Sequence, residues 1–160
     1  MLEFMELKML LTARGASLRV KGKIYKACVQ RVLVYGSETW AMKMDDMQRL
    51  LRTENSMVRW MSGVTMKDRR TSEELRQRLG IESVDRVVSR GRLRWYGHVE
   101  RKTADDWVSK CRNLEVEGNI RKGRAKKTWM ECVTSDMIEF GLKKEDAHDR
   151  SLWSSKMSLI

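Results

Sequence analysis

The chain has 160 residues, of which 41% are hydrophobic and 34% are charged, so it can bury a core and is not a low-complexity, disordered polypeptide. Its 33 Lys and Arg residues outnumber 22 Asp and Glu residues, and the net charge of +11 favours a polyanion such as nucleic acid as a partner. No apolar run exceeds the length of a buried helix, and no continuous apolar stripe accompanies the basic residues, so we expect no membrane partner.

The cysteine and proline content indicates the compartment and the fold class. The three cysteines are far apart, and Glu3, Glu6 and Lys8 interrupt the first apolar run, unlike a secretory signal peptide. We therefore expect an intracellular chain, nuclear or cytoplasmic, that is not secreted. Proline is absent, and apolar residues recur at helical spacing. These features predict an all-α fold, an irregular bundle of about five to seven short-to-medium helices.

Start and stop signals divide the chain into helices. Including their caps, the predicted helices cover 18–35, 45–63, 71–80, 83–101, 105–111, 128–141 and 144–157. Paired aspartates or a Thr followed three residues later by Glu mark several starts, and a glycine follows several ends. The starts are Asp45-Asp46, Thr71 with Glu74, Asp105-Asp106 and Thr128 with Glu131, and the stops are Gly36, Gly63, Gly80 and Gly141. Residues 1–17 are expected to be weakly ordered.

Positive charge is concentrated in the middle of the chain. Residues 86–127 contain 13 basic and 5 acidic residues, a net charge of +8, whereas residues 128–160 contain 4 basic and 6 acidic residues, a net charge of −2. One predicted helix carries several arginines that can project to one side and bind phosphates through paired hydrogen bonds. These arginines are Arg86, Arg90, Arg92, Arg94 and Arg101. A solvated helix face with neighbouring carboxylates is the alternative interpretation.

A second basic cluster falls in a glycine-interrupted segment near 117–127 that is expected to be a mobile loop. Its members are Arg121, Lys122, Arg124, Lys126 and Lys127. The segment could follow a nucleic-acid backbone once ordered, and a nuclear-import signal is the rival interpretation. Among the aromatic residues, Trp40 and Tyr96 are candidates for stacking on bases. The remaining tryptophans that sit on apolar faces are expected to anchor the core, namely Trp60, Trp95, Trp129 and Trp153.

Seven motifs follow one another in the order typical of one protein family. They are Gly22-Lys23-Ile24-Tyr25, Val34-Tyr35-Gly36-Ser37-Glu38-Thr39-Trp40, Glu54-Asn55-Ser56-Met57-Val58-Arg59-Trp60-Met61, Arg92-Leu93-Arg94-Trp95-Tyr96-Gly97-His98-Val99, Asp105-Asp106-Trp107-Val108, Gly123-Arg124-Ala125-Lys126-Lys127-Thr128-Trp129 and Glu145-Asp146-Ala147 followed by Asp149-Arg150. Together they cover nearly the whole chain, which therefore resembles the post-palm region of reverse transcriptases of non-LTR (LINE-type) retrotransposons. Such transposable elements encode an RNA-directed DNA polymerase that copies RNA into DNA at a nicked target.

The resemblance implies a thumb-like helical region over 18–80 and a post-thumb extension over 81–160, with a basic middle and an acidic C-terminal part. The chain departs from the family at Gly123-Arg124-Ala125, where Gly-Arg-Pro or Gly-Arg-Gly is common, and in its short tail Ser154-Ser155-Lys156. The fingers, palm and endonuclease would precede this region. We therefore expect a catalytically incomplete fragment whose original packing partner is the palm, with no cofactor and no small-molecule substrate of its own.

Two aspartate pairs superficially match the polymerase signature, in which paired acids on a β-hairpin hold Mg²⁺. They are Lys43-Met44-Asp45-Asp46 and Thr103-Ala104-Asp105-Asp106. Each pair lies at a predicted helix start and lacks flanking strands, so we interpret both as helix-terminal acids and expect Mg²⁺ to belong to the missing palm. The candidate zinc ligands are all solitary, so no metal site is predicted. These are His98, Cys111, Cys132 and His148.

The sequence thus predicts a protein fragment that is not an enzyme and retains at most non-sequence-specific binding of RNA or DNA. One alternative is a helical protein-interaction or structural domain whose positive surface is incidental. Another is a translated relic without a selected function, marginally folded because its packing partner is missing.

Overall fold

The computed structural model describes residues 2–112, 114 and 127–158, and every regular element in these ranges is helical, which confirms the all-α class. The α-helices are α1 Leu2–Thr12, α2 Leu18–Ile24, α3 Arg31–Leu33, α4 Met44–Ser62, α5 Ser72–Leu79, α6 Val84–Glu100, α7 Trp107–Arg112, α8 Trp129–Glu139 and α9 Arg150–Ser158. A π-helical segment, Tyr25–Gln30, joins α2 to α3, and 3₁₀ turns cover Met66–Asp68 and Lys144–His148. None of the described helices is both long and apolar enough to cross a membrane.

The chain divides into two compact units. The first comprises Met1–Gly36 and Lys43–Val88, and the second comprises Ser37–Met42 and Ser89–Ile160. The boundary therefore falls inside α6, later than the boundary at residue 80 that the sequence predicted. The first unit also includes α1, whose Leu11 is fully buried in the core, whereas the sequence predicted a weakly ordered segment there.

The helix ends follow the predicted capping chemistry. The hydroxyl oxygen of Thr71 accepts a hydrogen bond from the backbone N–H of Glu74 at the start of α5. At the start of α8, Thr128 and Glu131 form a reciprocal capping box. Four glycines after helix ends adopt positive φ angles, which side chains disfavour. They are Gly36, Gly63, Gly80 and Gly141.

The core of the first unit forms where α2 packs against α5 and α5 packs against α4. Tyr25, Val58 and Leu75 are fully buried there. The close approach of α2 and α5 depends on Gly22, because a Cβ atom at that position would lie 2.0 Å from the carbonyl oxygen of Leu79. Any larger residue at Gly22 would push the two helices apart.

Glu54 is the polar centre of the first unit, although its position in the sequence belongs to the apolar stripe of α4. Its carboxylate is fully buried and accepts hydrogen bonds from Tyr25 Oη and Gln30 Nε2, both at 3.4 Å, from Arg76 Nε at 3.2 Å and from the backbone N–H of Val84 at 3.0 Å. Burial raises the pKa of Glu54, and the hydrogen bonds from Val84, Arg76 and Gln30 oppose the rise. The carboxylate thereby joins α4 to the π-helical segment, to α5 and to the start of α6.

The π-helical segment explains how two of these donors reach one carboxylate. In a π-helix the hydrogen-bonded repeat is five residues, so residues i and i+5 lie near the same face. Tyr25 and Gln30 have this spacing, and both donate to Oε1 of Glu54. In a regular α-helix the same two residues would point in directions about 140° apart.

The second unit has its own core, in which Leu93 and Tyr96 of α6, Val133 of α8 and Trp153 of α9 are buried. The indole N–H of Trp129 donates to the carbonyl oxygen of Glu38 at 2.8 Å. This bond attaches the short segment Ser37–Met42 to the second unit.

Candidate nucleic-acid interface

The second unit contains a cavity of about 790 Å³ whose lining is rich in cationic side chains. Helix α6, the turn after it and α9 supply the lining. The residues are Arg90, Arg94, His98, Arg101, Lys102, Arg150, Trp153, Ser154, Met157 and Ser158. We call it the basic cavity.

Helical periodicity places three of these side chains in one row, and a fourth extends it. Arg90, Arg94 and His98 occur at i, i+4 and i+8, which brings them to the same side of α6, and Arg101, at i+11, is the first residue after the helix and also lines the cavity. At 1.5 Å per residue the row is about 16 Å long. Of the arginines predicted to form a phosphate track, Arg90, Arg94 and Arg101 therefore meet at one site.

A glycine allows α9 to approach α6 at the cavity. A Cβ atom at Gly97 would lie 2.4 Å from Nε1 of Trp153, so only glycine leaves room for the indole. Trp153 is 3% exposed, and its N–H donates to the carbonyl oxygen of Leu93 at 3.2 Å. This packing fixes the N-terminal part of α9 and thereby brings Arg150 to the row of α6.

The cations of the cavity differ in how firmly they are held. Arg101 donates to the carbonyl oxygen of Ala147 at 2.7 Å, and Lys102 forms an ion pair with Asp106 at 3.1 Å. The pKa of Asp106 is lowered by the backbone N–H of Val108 and by Lys102. The side chains of Arg94 and Arg150 are exposed. The cavity therefore combines anchored charges with charges that can adjust to a ligand.

Arg92 does not belong to this interface, which corrects the sequence-based prediction for that residue. It is 5% exposed, and its Nη1 lies 2.8 Å from Oδ2 of Asp136. Ser89 donates to the other carboxylate oxygen at 2.9 Å. Burial raises the pKa of Asp136, and the charge of Arg92 opposes the rise. The guanidinium of Arg92 thus neutralises a buried acid and is not presented to a ligand.

Among the other predicted basic residues, Arg86 and Lys127 do not line the cavity. Arg86 is exposed on the portion of α6 that belongs to the first unit. Lys127 is exposed just before α8. The rest of the second cluster lies outside the described residues, namely Arg121, Lys122, Arg124 and Lys126.

Two lining cations, Lys102 and Arg150, were not among the predicted site residues. Lys102 directly follows Arg101 in the sequence, so its position next to a predicted site residue could have identified it. Arg150 lies in the region of net negative charge, 48 positions further along the chain. The packing of Trp153 against Gly97 and the hydrogen bond from Arg101 to the carbonyl oxygen of Ala147 hold the chain on both sides of Arg150 near the cavity, and no local pattern indicates these contacts.

The aromatic candidates have different positions. Trp40 is 61% exposed, which leaves its ring accessible, but Tyr96 is fully buried, so the prediction that it stacks on bases was wrong. The Tyr96 ring packs at tilted angles against Trp129 and Trp153 instead. Trp107, which was not predicted as a surface residue, is 78% exposed with Lys110 Nζ 5.5 Å from its ring centroid.

The aspartate pairs lie at helix starts, as predicted. Asp45 and Asp46 occupy the first turn of α4. Oδ1 of Asp106 accepts a hydrogen bond from the backbone N–H of Val108 at 2.9 Å and so caps α7. Over residues 2–112, 114 and 127–158, no three His, Cys, Asp or Glu side chains converge in a way that could hold a metal ion.

Comparison with known proteins gives one partial similarity. No family model matches the chain, and no solved structure matches it. The chain is 26% identical over 95 residues to an uncharacterised transposon-derived protein of Caenorhabditis elegans. The aligned segment covers 57% of the chain and 34% of that protein, so the chain matches about a third of the relative's length.

Proposed function

We propose that this chain derives from a transposon and corresponds to the thumb and post-thumb region of a non-LTR retrotransposon reverse transcriptase. The similarity to a transposon-derived protein supports the first statement. The ordered series of motifs from Gly22 to Arg150 supports the second. In this proposal the chain binds RNA or DNA without sequence specificity through the basic cavity and does not polymerise.

The observation that carries the proposal is the meeting of five permanent cations at one cavity. Helix α6 contributes Arg90 and Arg94, the turn after it contributes Arg101 and Lys102, and α9 contributes Arg150. Cations clustered in a concave site raise the local concentration of a polyanion. Guanidinium groups suit phosphate oxygens because they can donate two parallel hydrogen bonds.

Polymerase chemistry requires carboxylates that hold two Mg²⁺ ions about 3.5 to 4 Å apart. The two aspartate pairs that match the polymerase signature do not fit that role, because Asp45 and Asp46 lie in a helical turn and Asp106 caps a helix. We therefore assign Mg²⁺ binding to the palm of the parental protein. A primer-extension assay on the purified chain with Mg²⁺ should show no template-directed incorporation, and incorporation would contradict this assignment.

Fluorescence anisotropy with labelled RNA and DNA of mixed sequence tests the binding function. The double variant Arg94→Glu/Arg150→Glu should bind at least about tenfold more weakly than the wild type, because each change replaces a cation by a repelling anion. The matched control is Arg78→Glu/Lys144→Glu, which alters the net charge equally at exposed positions outside the cavity.

Equal losses in the two double variants would mean that net charge, and not the cavity, determines binding. Absence of binding by the folded wild-type chain at low salt would remove the proposed function altogether. The remaining explanation for the positive surface would then be an acidic protein partner or no partner at all.

A further inference from the structure

The size of the basic cavity limits what can enter it. About 790 Å³ is typical of a pocket for a small ligand. A duplex carries its phosphates on the outside of a wide cylinder, beside grooves about 6 and 12 Å across, so it would touch only the rim. A single sugar–phosphate backbone is narrow enough to enter.

The aromatic rings of the cavity lining have little exposed face on which a base could stack. Trp153 is 3% exposed, so its faces are covered by protein. His98 is exposed, but one face of its ring packs on Trp95 with 5.4 Å between the centroids. Proteins that hold single strands by stacking present open aromatic faces to successive bases. The lining instead consists mainly of cationic residues, which are suited to phosphate.

The length of the cationic row sets an upper limit on the strand segment. The helical rise of α6 places Arg90 and Arg101, the first residue after the helix, about 16 Å apart along the helix axis. A nucleic-acid strand advances about 3.4 Å per nucleotide in a duplex and more when extended, so at most about five nucleotides span the row.

We propose that the basic cavity binds the sugar–phosphate backbone of a single strand over at most about five nucleotides, with the bases turned away from the protein. This inference rests on the proposed function and specifies its ligand. Recognition depends on the spacing of phosphates along one strand, so base identity and even base presence contribute little.

Competition binding with the full chain tests the inference. A labelled single-stranded DNA is displaced by unlabelled competitors: a normal oligonucleotide, an abasic oligonucleotide of the same length, and a hairpin duplex with the same number of phosphates. The abasic strand should compete within about threefold of the normal strand, and the duplex should compete at least about tenfold more weakly. Affinity should stop rising steeply beyond about five nucleotides.

Variants separate backbone recognition from stacking. Trp40→Ala, which removes an exposed indole that does not line the cavity, should leave the affinity for a normal strand within about twofold of the wild type. Arg94→Ala should weaken normal and abasic strands equally, because both present the same phosphates. Circular dichroism verifies that each variant is folded.

Several outcomes would overturn the inference while leaving the proposed function intact. They are tighter binding of the duplex than of the single strand, a loss of tenfold or more with the abasic strand, and a large loss in Trp40→Ala. Failure of every oligonucleotide to bind the folded chain would instead refute the proposed function.

Discussion

Arg92 of α6 and Asp136 of α8 form a buried ion pair, with 2.8 Å between Nη1 and Oδ2. The arginines on either side of Arg92 in α6, Arg90 and Arg94, line the basic cavity. Removing one partner of such a pair leaves an uncompensated buried charge. We expect Arg92→Ala to lower the free energy of unfolding by about 3 to 5 kcal/mol. Arg94→Ala, two residues away and exposed, should change it by less than about 0.5 kcal/mol. Urea denaturation measures both, and similar losses would contradict the structural role of Arg92.

The two glycines within α6 provide a second matched comparison. Gly97→Ala places a methyl group 2.4 Å from Trp153 Nε1, so it should destabilise the second unit by about 1 to 3 kcal/mol. A Cβ atom at Gly91 would lie 3.9 Å from Glu38 Cβ, which is an ordinary contact. Gly91→Ala should therefore raise the free energy of unfolding by up to about 1 kcal/mol, because alanine has the higher helix propensity. Thermal unfolding of both variants distinguishes these effects. A Gly97→Ala protein as stable as Gly91→Ala would show that the contact with Trp153 is not close.

The phenol of Tyr25 should make the protein sensitive to alkali. Burial and the neighbouring charge of Glu54 raise the pKa of Tyr25 well above its ordinary value near 10. The native state therefore keeps its proton at a pH at which the unfolded chain releases it. The resulting stability is fully present below pH 10 and is lost as the pH rises above that value. In Tyr25→Phe the melting temperature should fall less between about pH 9 and 11 than in the wild type, and parallel decreases would exclude this origin.

Salt dependence measures how many phosphates the cavity contacts. For a single strand, the logarithm of the association constant falls with the logarithm of salt concentration by about 0.7 per neutralised phosphate. Five permanent cations at the cavity limit the slope to about −3.5. Arg150→Ala should reduce its magnitude by about 0.7, whereas Arg78→Ala in the first unit should leave it unchanged. An unchanged slope in Arg150→Ala would place this side chain outside the interface.

The sequence predicted what depends on local chemistry. Gly63 and Gly80 end α4 and α5 with positive φ angles, and Thr128 and Glu131 cap α8 reciprocally, as their residue types and spacing indicated. These features involve residues within one turn of each other. The helical class and most helix positions follow from them.

Features that depend on distant contacts were not predictable. Spacing alone cannot distinguish Arg92 from Arg94, because the difference is Asp136, which lies 44 residues away on another helix. Glu54 occupied an apolar stripe without any sign that Tyr25 and Arg76 would surround it. Each of these contacts joins residues that are too far apart in the sequence for a local pattern to indicate it.

The wide turn over Tyr25–Gln30 has a consequence for changes in chain length. A π-turn contains one residue more than an α-turn, so deleting one residue there would let the backbone close into regular α-turns while the flanking residues kept their relative directions. Lys21, whose ammonium donates to the carbonyl oxygen of Met61 at 3.1 Å, and Gln30, which donates to Glu54, could then both keep their partners. A deletion within the regular turns of α4 would instead rotate one part of that helix by about 100° relative to the other.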